Sequence, residues 1–163
     1  MPITYDHDSQ ITRAQAVLLD VLDGSPLNLS AGNCILMDEP RPLPDLGRLY
    51  VELYDDGGRV GDEGDSTLIE HWTLGITIYA ALSTDQNARN IAASQELRRA
   101  AHLVRNALHL HYDADYWPEP IRFRNRSRIR TIQPGLRAVD LRFDVMSIEE
   151  YATVIGTAAA AAA

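Results

Sequence analysis

The stretch Ile121-Arg122-Phe123-Arg124-Asn125-Arg126-Ser127-Arg128-Ile129-Arg130-Thr131 places an arginine at every second position. Side chains of a β-strand point alternately to opposite faces, so on a single strand Arg122, Arg124, Arg126, Arg128 and Arg130 stand on one face. Ile121, Phe123 and Ile129 fall on the other. Next-nearest residues on a strand lie about 7 Å apart, and unit charges at that distance repel by about 2 kcal/mol at an effective dielectric of about 20. The row therefore needs bulk water or acidic partners. After Gln133-Pro134-Gly135, the run Leu136 to Ser147 alternates again, with Val139, Leu141, Phe143 and Val145 opposed to Asp140, Arg142, Asp144 and Met146. Matching the apolar faces brings Asp140 and Asp144 beside the arginines, where opposite-charge cross-strand pairs contribute about 0.2 to 1 kcal/mol each. Two acids do not balance five bases. Pro134-Gly135 suits the centre of a type II turn, but a two-residue loop there pairs even with odd positions and sets Val139 opposite an arginine. A longer loop or a bulge is predicted, since either restores the face match.

Working outward, Ile11, Ala14, Val17, Leu18, Val21 and Leu22 recur at helical spacing from an N-cap at Asp8 or Ser9 until Asp23-Gly24. From Ser25 to Leu46 the chain carries four prolines and one apolar cluster, Ile35-Leu36-Met37, which reads as a long ordered loop or a short edge strand. Gly47 to Tyr54 alternates as a strand. The following Asp55 to Asp65 is glycine-rich and acidic. It lacks the Gly-Lys-Ser/Thr of a phosphate loop, and its spacing does not match a calcium loop. A mobile hairpin tip carrying Asp55, Asp56, Asp62, Glu63 and Asp65 is the expectation. Thr67 to Ser83 is apolar on both faces, as a central strand should be. Ser83 and Gln86 form a capping-box pattern before a helix that buries Leu97, Ala100, Ala101, Val104 and Leu108 and runs to about His111. Asp113 to Pro120 turns the chain into the arginine stretch. The class predicted is α/β (α+β): a mostly antiparallel sheet of about four strands with two α-helices packed on it.

At 163 residues and 45% apolar content, the chain is sized for one domain, residues 1–157, followed by an alanine tail at 158–163 from which nothing is read. No apolar run approaches the ~20 residues of a membrane span, and Met1-Pro2-Ile3-Thr4 does not open like a signal peptide, so a cytosolic location and no membrane partner are expected. The one cysteine, Cys34, reads as a small buried hydrophobe. All fifteen basic residues are arginine, which fits a coding bias better than an adaptation. A net charge of −8 disfavours nonspecific adhesion to nucleic acid or anionic membrane.

Chemistry-bearing clusters are sparse. His109, His111, Asp113 and Asp115 hold metal-capable atoms, but on a helix the two histidines point about 200° apart. His71 sits mid-strand and reads as structural. No serine, cysteine or threonine lies in a nucleophile elbow. Trp72, Tyr50, Tyr54 and Tyr79 could stack bases, although strand aromatics are more often core and no RNA-binding signature accompanies them. No catalytic residue, cofactor or metal ligand is assigned, and no enzymatic activity is expected. The arginine row is read as an interface for an acidic surface on another subunit, the alternative being a solvated sheet face.

The order helix, long loop, strand, acidic glycine-rich hairpin, long strand, capped helix, strand, strand resembles the tail-terminator proteins of long-tailed phages and phage-like particles. The resemblance lies in Ile11 to Leu22, Leu46-Gly47-Arg48-Leu49-Tyr50-Val51-Glu52-Leu53, Glu70-His71-Trp72-Thr73-Leu74-Gly75-Ile76-Thr77-Ile78-Tyr79 and Leu136 to Ile148. It implies a subunit of a hexameric ring in the virion, at the head-proximal end of the tail tube, assembled in the host bacterial cytoplasm. Such a ring ends tube growth, meets the tube protein and a head-completion or neck protein, and lets DNA pass through its lumen. The proline-rich loop and the arginine row depart from the pattern and leave a related neck or head-completion role open, with a small binding module or metal-dependent enzyme as more distant alternatives.

Overall fold

The computed structural model describes residues 5–36, 49–63, 67–81 and 88–149. Two helices and six strands follow in the order α1 (His7–Val21), β1 (Cys34–Leu36), β2 (Leu49–Glu63), β3 (Leu68–Ala81), α2 (Ala88–Leu108), β4 (Arg122–Arg126), β5 (Arg130–Gln133) and β6 (Leu136–Glu149). The class is α+β, and the strands form one sheet in the order β1-β2-β3-β6-β4, with β5 also beside β6. Every pairing is antiparallel except β1 with β2. The expected four strands become six because Cys34–Leu36 is a short parallel edge strand and the arginine stretch is split into β4 and β5.

Register explains which face is dry. Leu49, Val51 and Leu53 lie opposite Ala80, Ile78 and Ile76, and Ile78, Ile76 and Leu74 lie opposite Val139, Leu141 and Phe143. These side chains share one face and join a single core with Ile11, Ala14, Val17 and Leu18 of α1 and Leu97, Ala100, Ala101, Val104 and Leu108 of α2. Burying each large aliphatic contributes about 1.5 to 3 kcal/mol. Gln10 is the one fully buried polar side chain of α1; its amide donates to the carbonyls of Tyr116 and Met146 at 2.9 and 2.8 Å, and its Oε1 accepts from Trp72 Nε1 at 3.0 Å. A buried amide bonded on both ends locks helix, sheet and the 113–120 turn together. That turn also sends Trp117 into the core, which its proline-flanked setting concealed.

Several expectations are corrected. The cap of α1 is Asp6, whose carboxylate accepts from the Ser9 backbone N–H at 2.8 Å, rather than Asp8 or Ser9. The acidic stretch is not a loop as far as Glu63: β2 continues through it, paired with β3 across shifts between Asp55 and Gly58 and between Val60 and Asp62. Bulges let a strand pass through glycine-rich sequence by giving the extra residue no partner. Asp65, the Ser83 and Gln86 cap, the Pro40 to Leu46 segment and the alanine tail lie outside the described residues.

Candidate interaction surface

Both helices pack on the sheet face that carries Leu74, Ile76 and Ile78; among the described residues no helix covers the opposite face. There Tyr50, Glu52 and Tyr54 of β2 lie opposite Tyr79, Thr77 and Gly75 of β3, which lie opposite Ala138, Asp140 and Arg142 of β6. Its centre is a bonded polar cluster. Thr77 donates its hydroxyl to Asp140 Oδ1 at 2.7 Å, Arg130 Nη1 donates to Asp140 Oδ2, and the Tyr54 hydroxyl sits 3.3 Å from Thr77 Oγ1. Burial opposes charge on the Asp140 carboxyl, but the hydrogen bonds from Arg130 and Thr77 outweigh it and hold the group below its ordinary value. Burial raises the Tyr54 phenol, and burial with the nearby Glu52 carboxylate pushes Tyr79 up to about 12, so both hydroxyls stay protonated. Gly75 admits the Tyr54 ring: a Cβ there would collide with its Cε2 and Cζ atoms.

The arginine row is broken, which corrects its reading as one five-residue face. Arg122 lies opposite Asp144 and Phe123 opposite Phe143, but a bulge at Arg124 shifts the register so that Arg126 lies opposite Leu141, on the helix side. Ser127 then leaves the ladder, with its backbone N–H on the Asp140 carbonyl and its hydroxyl accepting from the Asp140 N–H, both at 2.9 Å. Pro134 and Gly135 make the tight turn, Gly135 at φ 83°, and a shift between Thr131 and Gln133 sets Arg130 opposite Ala138. That is the bulge the face match required. The two predicted acids are beside arginines: Asp140 with Arg130, and Asp144 with Arg124 at 3.8 Å. Arg122, Arg126 and Arg128 are exposed and form no ion pair among the described residues.

The acidic strand is tied down where its side chains are described. Asp56 accepts from Arg142 Nε at 2.7 Å, and Asp55 meets His7 Nδ1 at 2.6 Å. Nothing in the sequence pattern singles out His7, yet it stacks on Trp72 at 4.4 Å and its Nε2 lies 3.0 Å from Glu70. Only the spacing of α1 from β3 in three dimensions creates that contact. Trp72 is therefore core rather than a base-stacking platform. His109 and His111 do separate jobs: His109 Nδ1 accepts from the Phe123 N–H at 3.0 Å, and His111 packs edge-on against Trp117. Asp113 pairs with Arg13 at 3.0 Å. Burial pushes the Cys34 thiol up to about 12, leaving an inert core side chain.

The fold thus defines a one-layer sheet with helices on one side, a polar bare face, a basic edge and an acidic edge. No family model matches the chain, and no curated protein matches its sequence. Among solved structures, the chain is similar to one from a "Virion of native gene transfer agent (GTA) particle", with a TM-score of 0.51 and 18% identity, covering 85% of this chain and 98% of that one. At that identity the likeness establishes a shared fold.

Proposed function

We propose that the chain is a structural, non-enzymatic virion protein of a phage or phage-like particle, forming a ring at the head-proximal end of the tail tube. The observation that carries this reading is the fold likeness to a chain of a gene transfer agent virion across 98% of that chain. The element order, helix, strands, helix, strands, is what the reading is first drawn from and agrees with it. In this reading the ring stops tube polymerisation and offers its other side to the head-completion or neck protein. The broken arginine edge, with Asp140 and Asp144 behind it, supplies a subunit or tube contact, because arginine is favoured at such interfaces. Six copies at −8 each carry −48, which lets DNA slide past an acidic lumen without adhering. The test is to add purified protein to polymerising tail-tube subunits and to weigh it under native conditions. Shortened tubes bearing one closed ring of about six chains at an end support the reading; rings found only on heads assign the neck role instead, and a monomer with no effect on tube length overturns both.

A further inference from the structure

Among the described residues, four large apolar side chains are exposed: Val21, Leu110, Tyr112 and Ile132. Ile132 is the extra residue of the β5 bulge. The other three have no such local reason. α2 ends at Leu108, and Leu110 takes φ 62°, the left-handed position after a helix where glycine is usual. A leucine is strained there and a glycine is not. The backbone around it is satisfied: the Leu110 N–H donates to the Ile121 carbonyl at 2.7 Å, and the Ile121 N–H to the His111 carbonyl at 3.0 Å. What remains open is the side chains, Leu110 at 57% exposure and Tyr112 at 54%.

Their surroundings are basic. Residues 97–112 and 121–131 hold eight of the fifteen arginines and none of the twenty-three acids. Arg98, His102, Arg105 and His109 recur at i, i+4, i+7 and i+11, one stripe of α2. Arg105 over the Phe123 ring at 5.8 Å and His109 on the Phe123 N–H turn that stripe toward β4. Arg98, Arg99, Arg122 and Arg126 are exposed and form no ion pair among the described residues. Tyrosine and arginine together mark the centre of protein contacts, whereas a phosphate backbone would use the arginines and leave Leu110 idle. Val21 has the opposite setting. It is 53% exposed at the end of α1, between the exposed Asp20 and Asp23, whose carboxylates take no bond among the described residues. α1 packs over β1 and β2, and α2 over β3, β6 and β4, so the two patches stand at opposite sides of the helix layer. A patch that matched itself would make a two-fold dimer, whereas unlike complementary patches make a head-to-tail contact that propagates around a ring. We infer that Leu110 and Tyr112, within their arginine field, receive Val21 with Asp20 and Asp23 of a second copy of this chain.

This inference rests on the ring reading, and the variants separate the two. Leu110→Gly puts the usual residue at the helix end, so urea unfolding should show a subunit at least as stable as the parent. Its concentration for half-assembly, read by native mass spectrometry at low salt, should nonetheless rise about tenfold or more, and that of Val21→Ser likewise. A Leu110→Gly subunit that is less stable than the parent makes the side chain structural and overturns the anchor. Arg122→Glu with Arg126→Glu, and Asp20→Arg with Asp23→Arg, each give two patches of like sign. Each pair should lose the ring peak alone, and mixing the two should restore rings of alternating composition. If the parent itself stays monomeric, the ring reading fails and this inference with it. If the parent forms rings and folded Leu110→Gly or Val21→Ser forms them equally well, or if mixing two folded charge variants restores nothing, this contact is overturned and the ring stands. Hydroxyl-radical labelling of the parent needs no variant: Val21, Leu110 and Tyr112 should all be oxidised less in the ring than in salt-dissociated subunits. Protection of Leu110 and Tyr112 without Val21 assigns the basic field to a different partner, and equal labelling of all three puts the subunit contact elsewhere; either result overturns the inference.

Discussion

On the helix side of the central strands, Leu74, Ile76, Ile78, Leu141 and Phe143 are buried in an apolar core; on the bare side Thr77 and Asp140 are nearly as buried, at 4% and 8% exposure. The same backbone ladder supports both. One side is held by shape, so its cost of damage is a cavity. The other is held by partners, so its cost is a polar group left without one. Burial alone therefore does not say how a sheet face is stabilised.

The largest effect that would sharpen this contrast is Phe143→Ala, which removes a fully buried ring from the helix side and should cost about 3 to 5 kcal/mol. Urea unfolding with an unchanged m-value reads it; a loss under about 1 kcal/mol would break the contrast. Next comes Asp140→Asn, which disrupts the bonds from Thr77 and Arg130 and should cost about 1 to 3 kcal/mol. Because the fold holds this carboxyl below its ordinary value of 3.8, its contribution is complete at neutral pH. It fades as pH falls through the ordinary carboxylate range and is gone below the folded value. Stability curves of parent and variant should therefore converge in acid, and parallel curves would refute the assignment. Smaller again is Gly75→Ala, which displaces the Tyr54 ring and should cost about 1 to 2 kcal/mol, part of it recovered when Tyr54→Ala is added. Smallest for the fold is Arg126→Glu, an exposed edge position expected to change monomer stability by less than about 0.5 kcal/mol. Its assembly should nonetheless weaken, as added salt should weaken that of the parent, because like charges across an interface repel.

The helix-covered side was legible in the sequence because its signal is periodic. Leu97, Ala100, Ala101, Val104 and Leu108 repeat at helical spacing, and Leu136 to Ser147 alternates without interruption; all the named helix residues are buried. The edges were not legible to the same degree. A bulge at Arg124 puts Arg126 on the face opposite to the one the alternation predicts, and no residue type near it announces the insertion. The bulge near Ile132 was legible, because a tight Pro134-Gly135 turn and a matched apolar face are compatible only with one. Asp55 to Glu63 looked like a loop because glycine disfavours strands locally, whereas its pairing with β3 is decided by the partner. The Arg142 contact to Asp56 and the His7 stack on Trp72 join residues 86 and 65 positions apart, from 56 to 142 and from 7 to 72, and only tertiary structure creates such pairs.

The pairing of β3 with β6 also sets a tempo. Its closest partners, Ala81 and Leu136, are separated by the whole of α2 and the 113–120 turn, and its most distant, Leu68 and Glu149, by more still. Loop-closure entropy must be met before any of these contacts forms, so the centre of the sheet is among the slower parts of the molecule to assemble. Until β6 docks, β3 presents an open edge flanked by Trp72, Leu74, Ile76 and Ile78. Refolding yield should accordingly fall as protein concentration rises, since at that stage another chain's strand competes with the chain's own.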